Sequence, residues 1–280
     1  MQSMQSDELI RLALAEDIGT GDQTSLAVFS DSDQTRGVVV AKAPLVLAGG
    51  PFFARVFQLL DERVEIVQRV GEGTLVQAGE RVLDISGPVR AILSGERTAL
   101  NILQRLSGTA TMTRQLVDAL AGQDARITDT RKTTPGMRVM EKYAVATGGG
   151  ANHRFGLDSG VMIKDNHIAA AGSIGAAVAA VRARVPHVLR VEVETTTLAE
   201  VDEAMAAGVE VLLLDNMDTP TLQAAVALAR SLSPGVLLEA SGNMSLDRVS
   251  EVAATGVDFI SVGALTHSAP AADLSLRLSP

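Results

Sequence analysis

The chain has 280 residues, of which 46% are hydrophobic and only 2% aromatic, so an aliphatic core is expected, large enough for one α/β domain or for one with a smaller partner. A formal net charge of −9 argues against broad binding to nucleic acid or anionic membranes, and one Tyr with no Trp leaves little to stack bases on. The lack of cysteine excludes disulfides, thiolate chemistry, Cys-ligated zinc and iron–sulfur clusters, and with neither a leader-like opening nor an apolar run of bilayer length the expected location is cytoplasmic.

In chain order, Asp7 to Glu16 reads as a short amphipathic helix, followed by a Gly/Asp-rich loop at Ile18-Gly19-Thr20-Gly21-Asp22. Gly37 to Leu47 reads as strand, turn at Pro44, strand. Phe52 to Leu60 is apolar at helical spacing, and Val64 to Ser86 holds short strands broken by Gly71, Gly73, Gly79 and Gly87. The next predicted helix, Ala91 to Leu106, carries Leu93, Leu100, Leu103 and Leu106 on one face and Arg97 on its polar side. From about Thr111 short β-rich runs alternate with helical ones. Strands are predicted at Arg126–Thr128, Val161–Ile163, Val188–Val193, Val211–Leu214, Val236–Leu238 and Phe259–Val262. Helices are predicted at Ala169–Ala183, Leu198–Ala207, Thr221–Ser231 and Leu246–Ala254. Repeated βα units imply a parallel sheet with right-handed crossovers. The stretch from Thr111 to Ser268 is shorter than the roughly 200 residues of an eight-fold barrel. The expected fold is therefore α/β, an open (incomplete) parallel α/β barrel of six or seven strands over 111–267, with a doubly wound sheet as the alternative. Residues 1–110 are expected to form a separate N-terminal α/β unit, joined by the tail 268–280.

In such folds the loops after the strands build the site. Those positions read Asp129 to Gly136, Lys164-Asp165-Asn166-His167, Glu192-Val193-Glu194, Asp215-Asn216-Met217, Glu239-Ala240-Ser241-Gly242 and Gly263 to His267. Polar residues and glycine stand where a core would be apolar. Arg131 and Arg154 can fork onto carboxylate or phosphate oxygens, and Lys132 and Lys164 supply compact point charges. Glu194 and Asp215 are acids beside an expected basic cavity, suited to Mg²⁺, to ribose hydroxyls or to ion pairs with the same cations. Ser241-Gly242 and Gly263 can offer backbone N–H groups at helix N-termini. Between Arg126 and His167 seven Arg/Lys stand against four Asp/Glu, a local +3 in an acidic chain, which suggests a small anionic ligand. Gly148-Gly149-Gly150 lacks the Lys-Ser/Thr of a P-loop, and the four histidines lack the spacing of a histidine-rich metal site.

The chain resembles the quinolinate phosphoribosyltransferase family (nicotinate-nucleotide pyrophosphorylase, carboxylating). The likeness runs through Glu16 to Thr24, Gly95 to Asn101, Leu106 to Thr111, Asp129 to Gly136, Lys142 to Val145, Gly148 to Arg154, Ile163 to His167, Leu214 to Met217 and Gly263 to Ser268. The resemblance implies an N-terminal α/β sandwich domain, an open barrel and a homodimer with shared active sites. It implies that quinolinate and phosphoribosyl pyrophosphate, with Mg²⁺, give nicotinate mononucleotide, pyrophosphate and CO₂, the entry from quinolinate into NAD. By the same resemblance Arg131, His153, Arg154 and Lys164 hold the quinolinate carboxylates, with Arg97 arriving from the partner subunit. Lys132, Glu194 and Asp215 face the ribose, pyrophosphate and metal, and Ser241, Gly242, Gly263 and His267 sit near the phosphate end. The chain has Asn243 where the commonest family pattern has a second glycine. Three rival readings are a branch of the same fold linked to molybdate-transport operons, against which the Gly19 to Asp22 loop argues, a lyase using Lys164 as a Schiff base, and a non-catalytic binder of phosphorylated sugars.

Overall fold

In a computed structural model describing residues 2–279, the chain forms two compact units. The first comprises the chain up to Arg114, Thr133–Gly149 and the chain from Leu265 onward; the second comprises Gln115–Lys132 and Gly150–Ala264. Residues 133–149 lie inside the range expected for the barrel yet cluster with the first unit.

The elements run α1 (Gln2–Ile18), α2 (Gln23–Val28), β1 (Gln34–Ala41), β2 (Leu45–Val46), α3 (Gly50–Leu60), β3 (Glu65–Gln68), β4 (Leu75–Val76), β5 (Arg81–Pro88) and α4 (Val89–Asp118). There follow β6 (Arg126–Thr128), α5 (Arg138–Thr147), β7 (Val161–Ile163), α6 (Asp165–Ala171), α7 (Ile174–Arg182), β8 (Val191–Thr195), α8 (Leu198–Ala206), β9 (Val211–Asp215) and α9 (Thr219–Leu232). The last are β10 (Leu237–Ser241), α10 (Leu246–Ala253), β11 (Phe259–Ser261), α11 (Ala264–His267) and β12 (Leu274–Ser279).

In the first unit an antiparallel sheet has the order β12-β1-β5-β3, so the chain's last strand pairs with its first. Phe53, Phe57, Leu83, Ile85, Leu103 and Leu106 fill its core, all buried. Helix α4 runs well past the predicted end at Leu106. The small polar run after it satisfies itself inside the helix, Thr111 Oγ1 donating to the Ser107 carbonyl at 2.6 Å and Thr113 Oγ1 to that of Thr109 at 2.8 Å. Helix α5 escaped the periodicity reading because it buries polar residues: Glu141 and Lys142 are almost wholly covered. Arg105 and Thr134 both donate to Glu141, at 3.0 and 2.8 Å. Of the local +3 window, Arg138 and Lys142 thus belong to the first unit.

The second unit is an open parallel α/β barrel of six strands in the order β6-β11-β10-β9-β8-β7. The first strand lies beside the last, as in a barrel, while β6 and β7 remain edges. A single parallel bridge, Thr128–Ala151, flanks β6 in place of a further strand. Strand β8 begins at Val191, three residues later than expected, and the helix expected over 169–183 is two, because Ser173 caps a new start by accepting from the Ala176 N–H. Register aligns Glu194 with Leu213 and Asp215 with Ser241. Register partners share a face and every second residue returns to it, so Glu192, Glu194, Leu213, Asp215, Glu239 and Ser241 line the lumen. The intervening Val193, Leu214 and Ala240 are buried on the helix side.

Candidate active site

At the carboxyl ends of these strands lies a cavity of about 710 Å³ lined by Arg131, Lys132, His153, Arg154, Lys164, Glu194, Asp215, Ser241 and Gly242. Each element contributes by its own local logic. Residues 130–132 follow β6 directly, and the Lys132 N–H donates to Thr130 Oγ1 at 3.0 Å. His153 and Arg154 are placed by the bridge at Ala151, whose N–H donates to Ile127 O at 2.7 Å, and by fully buried Asp129, whose Oδ1 accepts the His153 backbone N–H at 2.9 Å. Lys164 stands at the start of α6, where His167 Nδ1 accepts its backbone N–H at 3.0 Å. His167 thus caps a helix.

Lys164 Nζ donates to Glu194 Oε2 at 2.8 Å, so one cation and one acid of the expected set pair across β7 and β8. Asp215 accepts from its neighbour Asn216 at 2.6 Å. Arg154 donates to Gly160 O at 3.0 Å. Its guanidinium is held below its usual affinity for the proton, first by burial and then by repulsion from Arg131, with Glu192 opposing. Two arginines in a partly dry cavity form a setting suited to an anion.

The seat at Ser241-Gly242 is a tight turn. Gly242 has φ +96°, and a Cβ there would collide with the Asn216 side chain. Asn243, at φ 49°, occupies the left-handed region that Asn tolerates better than most residues, and its Nδ2 donates to Asn216 Oδ1 at 3.4 Å. The expectation that Ser241-Gly242 opens a helix is corrected: helix α10 starts at Leu246 behind the cap Ser245, because the left-handed pair intervenes. Gly263 precedes the short α11 and lies in the second unit without lining the cavity. Arg97, exposed on α4, and His267, whose Nδ1 lies 2.6 Å from Ser268 Oγ, belong to the first unit. Gly148 serves packing, since a Cβ there would meet Ala110 O at 2.6 Å.

Beside His153 stand two acids to which the sequence reading gave no role, Glu192 and Glu239, the latter lining the cavity. His153 Nε2 lies 3.3 Å from Glu192 and 3.6 Å from Glu239; both acids are buried and His153 is partly so. The Arg154 backbone N–H donates to His153 Nδ1 at 2.7 Å, so Nε2 is the nitrogen that carries the proton. Burial, then the neighbouring Glu192, pushes the Glu239 carboxyl up to about 7. Ligand atoms of the three lie within 4.8 Å of one another, close enough to share an ion or a proton. The missed signal was alternation: a Glu flanked by apolar neighbours in a strand covered by helices can point only into a lumen.

The family description "Quinolinate phosphoribosyl transferase, C-terminal domain" matches residues 109–277, and the corresponding N-terminal domain matches 22–107. A probable nicotinate-nucleotide pyrophosphorylase [carboxylating] of Synechocystis sp. is 49% identical over 97% of this chain and 92% of its own length. The nicotinate-nucleotide pyrophosphorylase [carboxylating] of Homo sapiens is 41% identical over 90% of this chain and 85% of its own. The crystal structure of NadC from Streptococcus pyogenes superimposes with a TM-score of 0.93 at 43% identity, covering 99% of this chain and 97% of that one.

Proposed function

The chain belongs to the quinolinate phosphoribosyl transferase family, and we propose that its barrel cavity converts quinolinate and phosphoribosyl pyrophosphate into nicotinate mononucleotide, pyrophosphate and CO₂. One observation carries this reading: Arg131, Lys132, Arg154 and Lys164 share a single cavity with Glu194 and Asp215. Such a cavity suits a dicarboxylate beside a polyphosphorylated sugar, because several anions need several cations and a ribosyl cation needs carboxylates.

In this reading Arg131, His153, Arg154 and Lys164 take the two carboxylates of quinolinate and hold its ring nitrogen toward the ribosyl carbon. Alignment of the two reactants in a partly dry site supplies much of the rate. As pyrophosphate departs, positive charge develops on the sugar, and Glu194 and Asp215 stabilise it. Lys132 faces the leaving pyrophosphate, while Ser241 and Gly242 belong to the phosphate end. Once the ring nitrogen is bonded to ribose it is positive, and the adjacent 2-carboxylate leaves as CO₂. The donor set fits Mg²⁺, since two carboxylates on neighbouring strands and substrate phosphates are the hard oxygens it takes; Glu194 and Asp215 would hold it, and it would neutralise charge on the departing pyrophosphate. The working form is a cytoplasmic homodimer in which Arg97 completes the partner's site.

The test is one assay. With quinolinate, phosphoribosyl pyrophosphate and Mg²⁺ the protein releases CO₂ and forms nicotinate mononucleotide in equal amounts; an absence of both products ends this reading.

A further inference from the structure

We propose that Glu239 is the general acid that protonates the ring carbon left bare by loss of CO₂, and that a second opening of the barrel behind it supplies the proton. This deepens the functional reading above and rests on it.

The chemistry creates the need. Heterolysis of the bond between C2 and its carboxylate releases CO₂ and leaves the electron pair on C2, beside a positive ring nitrogen. The product carries hydrogen at C2, so a proton must reach that carbon. Bulk water at the cavity mouth is a poor source while two large substrates fill it.

The lumen provides a donor. Glu239 lines the substrate cavity, its side chain is 6% exposed, and its buried Oε1 has no hydrogen-bond partner. Its other oxygen, Oε2, lies 3.6 Å from Nε2 of His153, the residue assigned above to a substrate carboxylate. The groups facing Glu239 are Glu192 on β8, His153 after the bridge, Asp129 after β6 and the hydroxyl of Ser261 on β11, which opposes the two acids by favouring the ionised form. Two acids beside it and a buried setting favour its protonated form near neutrality. The Nε2–H of His153 is directed to the carboxylate oxygens of Glu192, 3.4 Å away, which leaves the Glu239 proton free to go to substrate.

The lumen also provides a supply. A second cavity, of about 460 Å³, lies at the amino ends of the strands, where Arg190, Val211, Leu237 and Phe259 line it. It shares His153, Arg154 and Glu239 with the substrate cavity. Glu239 therefore has the substrate on one side and a separate cavity on the other. In the step, C2 takes the Glu239 proton and the carboxylate is left; water in the rear cavity returns a proton drawn from bulk solvent, so one proton is consumed per CO₂ released.

The experiment is single-turnover formation of nicotinate mononucleotide across pH 6 to 9, in H₂O and D₂O, with wild type and Glu239→Gln, each checked for a cooperative melt. The wild-type rate is expected to fall as pH rises through about 7, where the acid loses its proton, and to slow in D₂O. Glu239→Gln is expected to lose about a hundredfold or more in rate, the range of general acid catalysis, with the quinolinate requirement little changed and the fall above pH 7 abolished. A folded Glu239→Gln within a few-fold of wild type, with the same pH profile, overturns the proposal. So does a wild-type rate that is flat in pH and blind to D₂O, an arm that stands even where the variant fails to fold. Wild type that makes no CO₂ at all instead defeats the functional reading on which the proposal rests.

Discussion

Lys164 Nζ and Glu194 Oε2 stand 2.8 Å apart across neighbouring strands, so the cavity holds an internal ion pair before any substrate arrives. The lysine side chain is 43% exposed, and an ion pair in that setting contributes about 0–1 kcal/mol to folding. On the proposed reading, quinolinate draws Lys164 away and leaves Glu194 to face the sugar. Lys164→Ala is expected to abolish turnover while its melting temperature stays within a few degrees of wild type. A melt lowered by ten degrees or more would make the pair structural. Borohydride with a carbonyl substrate is expected to trap no adduct on Lys164, and a trapped adduct would revive the Schiff-base reading.

Burial, then the charge of Arg131, lowers the proton affinity of Arg154, and in the proposed reading a dicarboxylate bound between them offsets that repulsion. Quinolinate is therefore expected to raise the melting temperature far more than nicotinate at equal concentration, a ligand at 100 times its Kd being worth ~2.7 kcal/mol. Arg131→Lys is expected to lose most of that shift, because a point charge cannot copy the two-pronged contact. Equal shifts with both ligands, or an unchanged response in Arg131→Lys, would remove the pair from carboxylate recognition.

Gly242→Ala meets two obstacles, a left-handed backbone and the Asn216 side chain where its Cβ would stand. A loss of about 1–3 kcal/mol is expected in urea unfolding, together with weaker use of phosphoribosyl pyrophosphate. Normal stability with a normal KM for the sugar would show that the turn relaxes freely.

In the first unit, fully buried Glu141 depends on Arg105 at 3.0 Å and on the Thr134 N–H at 3.0 Å. Arg105→Ala is expected to cost about 3–5 kcal/mol by leaving a buried carboxylate without its cation. A smaller loss, below about 1 kcal/mol, would mean that Thr134 alone satisfies Glu141.

Glu239 also links stability to pH. Its carboxyl rises from 4.5 to about 7 on folding, so the folded state holds a proton that the unfolded chain has released across that window. Stability is full below about 4.5 and declines as pH rises through 7. Glu239→Gln removes the titrating group, so its melting temperature is expected to fall less steeply than that of wild type between pH 5 and 8. Parallel slopes would mean that the Glu239 proton is held equally in both states.

For the dimer, mixing Arg97→Ala with Lys164→Ala chains is expected to restore part of the activity, because one mixed site then keeps both residues. Absence of rescue would place complete sites within single chains.

The alternation of β-rich and helical runs, and the polar residues ending each run, were legible in the sequence because period and residue type are local properties. Strands β6 and β7 fall on the predicted residues for that reason. Helix α5 was not legible, since Glu141 and Lys142 read as solvent-facing until Arg105 and Thr134 are seen to satisfy Glu141. The tertiary structure alone decided which charges share a space. Parity within a parallel strand aims Glu192 and Glu239 into the lumen with Glu194 and Asp215, and the strand order sets β10 two places from β8, where Glu239 and Glu192 close on His153. Such contacts join residues far apart in the chain, and only the closing of the sheet fixes their distances.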